Sequence, residues 1–139
     1  MISLDKIHPL LIHFPIALFG LAVVFDWLAL WRKDDRFEFA SFWTLGFAVA
    51  AVVPVVITGF IADQMEGHMA EPWRILETHG SMQIVSSLLF IVQLAWRIRN
   101  RGLIPADRTG RILYVLLGIL ALAGLYYGSH LGARLSGRI

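Results

Sequence analysis

Residues 40–62 read ASFWTLGFAVAAVVPVVITGFIA, an apolar run with no charged side chain before Asp63. As a helix rising ~1.5 Å per residue, this run exceeds the ~30 Å hydrocarbon core of a bilayer. Three more runs flank it. The spacing predicts four membrane-crossing helices over about 7–31, 40–63, 79–97 and 111–134. The connections are short, so consecutive helices are antiparallel neighbours. The expected fold is all-α, an up-down-up-down four-helix bundle forming a single domain over 1–139.

Composition agrees. Hydrophobic residues make up 58% of the 139 and charged residues 16%, with mean hydropathy +0.69. A soluble domain sits nearer half apolar and a quarter charged. The partner implied first is the lipid bilayer. A net charge of +2 gives no case for nucleic acid, and the absence of cysteine removes disulfides, thiolate metal sites and thioether-linked haem. The first run lacks the basic start and small-residue cleavage site of a signal peptide and is expected to be a retained span.

Charge predicts orientation. Arg32, Lys33, Arg36, Arg97, Arg99, Arg101, Arg108 and Arg111 fall in the first and third connections, eight of the twelve basic residues. The Arg-rich side is expected to be cytoplasmic, and both termini and the 64–78 connection to face outward, across a bacterial inner membrane. Trp31, Trp43, Trp73 and Trp96 fall near the expected boundaries, where aromatic belts form.

On that topology all five histidines belong to the outward half. His8 and His13 open the first helix, His68 follows the second, His79 opens the third and His130 nears the end of the fourth. Neutral imidazole ligates haem iron, copper and zinc. Haem b needs no cysteine and replaces apolar core side chains in a bundle. His13, His79 and His130 are the candidate axial ligands, with His8 a fourth. His13 and His79 stand on diagonal helices and would approach iron from opposite faces. The function expected is a b-type cytochrome-like electron carrier, exchanging with a quinone or a periplasmic redox protein. Copper or zinc held by three imidazoles and Asp63 is the alternative cofactor, with Met65 and Met69 leaning towards copper(I). A cofactor-free structural subunit, its histidines bonded at the interface, is the second alternative. A homo-oligomer fits any of these. No nucleophile elbow, Walker loop or dinucleotide fingerprint is present, so a redox carrier or binding protein is expected rather than a stand-alone enzyme.

Asp26 lies far from the histidines, towards the Arg-rich end, and is expected to pair with Arg32, Lys33 or a loop arginine. Proton relay is the minor reading. Pro54 is expected to kink the second helix. Gly124, Gly128 and Gly132 share one stripe of the fourth helix, read first as close helix packing and second as an approach to a flat cofactor.

The opening His8-Pro9 and His13-Phe14-Pro15, with Asp26 later in the helix, resembles a bacterial family of four-span membrane proteins catalogued as domain of unknown function 2231. Gly59 to Asp63, His79, and the Gly128-Ser129-His130-Leu131-Gly132 end extend the resemblance over essentially the whole chain. It implies the four-helix architecture and adds weight to His8, His13 and His79.

Overall fold

The computed structural model describes residues 11–66 and 78–135, with the side chains of all of these except 62–66 and 135. Four helices follow in order: α1 His13–Arg32, α2 Asp35–Glu66, α3 His79–Arg99 and α4 Arg108–Leu135. Each is long and apolar enough to cross a membrane. The described residues contain no strand. Large apolar side chains such as Phe47, Val53, Leu116 and Leu120 lie exposed along the outside. With lipid as solvent that surface costs nothing; in water it would not persist.

Helix ends extend beyond the apolar runs. α2 begins at Asp35, well before residue 40, because Asp34 caps it. The Asp34 carboxylate accepts from the Arg36 backbone N–H at 2.9 Å and from its guanidinium at 2.8–3.2 Å. Arg36 holds this exposed carboxyl down to about 2, first through its side-chain bond. α1 stops at Lys33, in the left-handed region at φ 52°, so the turn between α1 and α2 is very tight. α4 starts at Arg108, where the Asp107 carboxylate accepts from the Gly110 N–H at 2.6 Å. Hydropathy marks the lipid-facing stretch; capped polar turns carry the helices past it.

Proline does not interrupt either helix that holds it. Pro15 sits in the first turn of α1, where a missing N–H is harmless. α2 runs continuously through Pro54, and the Thr58 hydroxyl donates to the Pro54 carbonyl at 2.9 Å.

α1 packs chiefly on α2 and α3 on α4, while the α2–α3 and α1–α4 seams are lighter. The core is centred on Phe19 and Phe90, whose rings stack at 4.0 Å across the α1–α3 diagonal. Ala22, Val23, Leu45, Ala48, Ala121 and Leu125 surround them. A second buried cluster of Ala29, Ile104 and Tyr114 lies towards the 100–107 connection.

Candidate functional site

The bundle has a histidine end and an arginine end, and each carries a polar site. His79 opens α3 directly after Thr78, its extended N-cap. The His79 ring lies over Gly132, where a Cβ would come within 2.7 Å of Nδ1. Nδ1 is 2.6 Å from the Gly128 carbonyl. A carbonyl only accepts, so Nδ1 carries the proton in this bond. One turn on, Gln83 donates to the Leu125 carbonyl at 3.2 Å and to the Ser129 hydroxyl at 3.0 Å. The glycine stripe of α4 thus receives His79, Met82, Gln83 and Ser86 from α3. Close helix packing, the first reading of that stripe, is what the structure shows.

His130 is two residues from both Gly128 and Gly132, about 200° around α4. It therefore faces away from His79, and it is exposed. His13 is also exposed. From the Phe19–Phe90 stack, His13 lies ~9 Å and His79 ~16 Å towards the histidine end. The diagonal pair His13 and His79 is therefore not brought together. His79, seated on Gly128 and Gly132, shares the depth of His130 but lies on the other side of α4. The Tyr126 hydroxyl sits 3.1 Å from where a Gly20 Cβ would be, so Tyr126 of α4 reaches α1 at Gly20. His13 lies two turns from Gly20 on nearly the same face, and His130 one turn from Tyr126 on nearly the same face. Both imidazoles thus lie on exposed outer faces, one to two turns beyond that contact towards the histidine end.

His8 and His68 lie outside the described residues, as does the side chain of Asp63, with Met65 and Met69. Among the described residues no three His, Cys, Asp or Glu side chains cluster as a metal site would require. A groove of about 650 Å³ runs between α1 and α2, but its wall is apolar, from Leu11, Phe14 and Leu18 to Phe47 and Val55, and carries no imidazole.

The arginine end holds a site that reading by hydropathy missed. Arg97 is fully buried, 0% exposed, within α3 and not in the connection after it. Its Nη1 donates to Asp26 Oδ1 at 2.8 Å and to the Tyr114 hydroxyl at 3.0 Å. Tyr114 in turn donates to Asp26 Oδ2 at 2.8 Å, and the Ser41 hydroxyl donates to Oδ1. Arg97 Nη2 reaches the Glu38 carbonyl and Nε the Gly102 carbonyl, both at 2.9 Å. Asp26 thus does pair with an arginine, and each of the four helices contributes a group. Both carboxylate oxygens and three guanidinium nitrogens are satisfied, the condition under which a buried ion pair persists. Periodicity held the signal: Phe90, Gln93 and Arg97 fall at i, i+3 and i+7, on the face of α3 that turns inward.

No curated protein and no solved structure is detectably similar to the chain. Residues 4–139 match the family described as "Predicted membrane protein (DUF2231)", and the chain belongs to that family of membrane proteins.

Proposed function

We propose that the protein binds haem b at its histidine end and carries single electrons there, with His13 and His130 as the axial pair at the α1–α4 seam. The observation supporting this reading is the reach of Tyr126 on α4 to Gly20 on α1, with exposed His13 and His130 each one to two turns beyond it towards the histidine end. Haem would supply one-electron exchange between its ferrous and ferric states. The chain's own groups do the rest. His13 and His130 offer imidazole nitrogens from two helices. Their seam edge opens towards lipid, so an apolar macrocycle would replace acyl chains there at small cost. His79, held to the Gly128 carbonyl, fixes the last turns of α4 and so positions His130 two residues on. A quinone or a soluble redox protein would exchange electrons at this end. On the charge rule this end faces out of a bacterial cytoplasm, with both termini on the same side.

The test is the absorption spectrum of detergent-purified protein expressed with haem supplied. A Soret band is expected, lost in both His13→Ala and His130→Ala while the melting temperature holds. His79→Ala should keep the band but bind haem more weakly. Folded wild-type protein with no Soret band ends the proposal. So does elemental analysis finding copper or zinc without porphyrin, which favours the metal reading.

A further inference from the structure

We propose that the arginine end is a docking surface for anionic phospholipid headgroups, built around the turn that joins α3 to α4. The turn is rigid. Arg101 and Gly102 both take positive φ, 58° and 82°. Gly102 N–H donates back to the Arg97 carbonyl at 2.6 Å, and Gly102's own carbonyl accepts from the buried Arg97 side chain at 2.9 Å. The Asn100 side chain closes the turn on the Leu103 carbonyl at 2.9 Å. What this fixed turn presents outward is Arg99, Arg101 and Leu103, with Arg108 at the start of α4. Arg32 and Lys33 stand exposed on the connection between α1 and α2 at the same end.

Charge complementarity names the occupant. The acidic residues at this end are mostly committed elsewhere. Asp26 is buried on Arg97, Asp34 holds Arg36, Glu38 accepts from the Ile104 N–H, and Asp107 caps α4. Asp35 and Asp107 are the acidic residues exposed beside them. Arg111 is turned onto the Pro105 and Ala106 carbonyls. The rim is therefore net basic, with Arg32, Lys33, Arg36, Arg99, Arg101, Arg108 and Arg111 exposed against the carboxylates of Asp34, Asp35, Glu38 and Asp107. It also carries apolar anchors that a water-facing patch would not. Leu103 is 53% exposed at the tip of the turn, and Trp31 and Trp43 are exposed at the same end. Cations beside an exposed leucine and interfacial indoles match the headgroup layer, where phosphate and acyl chain meet. A soluble anion would use the charges and leave Leu103 unused.

The test uses the full chain in a non-ionic detergent, titrated with phosphatidylglycerol or phosphatidylcholine and read as lipid retained by native mass spectrometry. Preferential retention of phosphatidylglycerol is expected, falling as salt rises. Arg99→Gln/Arg101→Gln/Arg108→Gln should weaken it roughly fivefold per arginine removed. Arg134→Gln, at the histidine end, should leave it unchanged. Should the triple variant fail to fold, Arg32→Gln/Lys33→Gln gives the same reading from the other connection, expected to weaken retention by the same factor per charge. Equal retention of both lipids, or wild-type retention by folded variants, overturns the proposal. Displacement of phosphatidylglycerol by equimolar inorganic phosphate overturns it too, since the surface would then take a bare anion.

Discussion

Arg97 carries five N–H bonds, and four of them reach a named acceptor: Asp26, Tyr114, and the carbonyls of Glu38 and Gly102. Its positive charge is matched by one buried carboxylate, so the two are interdependent. Removing either partner leaves the other charge buried and alone, at about 3–5 kcal/mol. Replacing both by apolar groups removes the unpaired charge. Arg97→Met and Asp26→Leu should therefore each destabilise the fold by about that amount. The double variant should lose clearly less than the sum of the two. Tyr114→Phe, which removes one bridging hydroxyl, should cost about 1–3 kcal/mol. Chemical unfolding in detergent measures all four, and additive losses would mean that the pair is not coupled. The carboxylate of this site was legible in the sequence, since a charge inside a span needs a partner. The identity of the arginine was not, because Arg97 and Arg99 sit together at the end of an apolar run and hydropathy weighs them alike. Only their angle around α3 separates them: Arg97 continues the buried stripe of Phe90 and Gln93, and Arg99 does not.

Between α3 and α4, packing and hydrogen bonding use the same residues. Gly118, Gly124, Gly128 and Gly132 expose backbone, and polar side chains of α3 reach it. His79 meets the Gly128 carbonyl, Gln83 the Leu125 carbonyl and Gln93 the Tyr114 carbonyl. In lipid, apolar side chains gain little by moving from acyl chains to each other, so close approach and interhelical hydrogen bonds carry the association. A methyl group on the stripe would intrude. At Gly124 it would stand 2.5 Å from the Ser86 hydroxyl, and at Gly128 3.0 Å from the Met82 Cβ. Gly124→Ala and Gly128→Ala should each cost about 1–3 kcal/mol through overpacking. Gly46→Ala, where nothing lies within 4 Å, should be neutral or slightly stabilising. Melting curves of the three variants compare them directly; a Gly46→Ala loss equal to the others would remove the packing argument. The glycine stripe was visible as a repeat of four. Its partners were not, because their match depends on the axial register of two helices, which no single helix encodes.

At the scale of the whole molecule, the four spans were legible because apolar length is a property of each segment alone. The histidine site was legible only in part. Alternating helix direction does put His13, His79 and His130 at one end. Angle then divides them, since His13 and His130 face outward while His79 turns onto the glycine stripe. The two ends also differ in what they can tolerate. The arginine end is closed by a network drawn from all four helices, with Arg99, Arg101 and Arg108 exposed on its rim. Moving that many cations through a bilayer during insertion is costly, which is why basic connections stay on the cytoplasmic side. The chain contains no cysteine, so single reporters can be introduced without background. Lys33→Cys and Arg101→Cys should resist an impermeant maleimide on intact bacterial spheroplasts and react once the membrane is opened. Arg134→Cys should react on the intact cells. The reverse pattern would invert the molecule and move the histidine seam to the cytoplasmic face. Any electron exchanged there would then come from a cytoplasmic donor. Labelling of Lys33→Cys and Arg101→Cys from opposite sides would break the up-down-up-down topology itself.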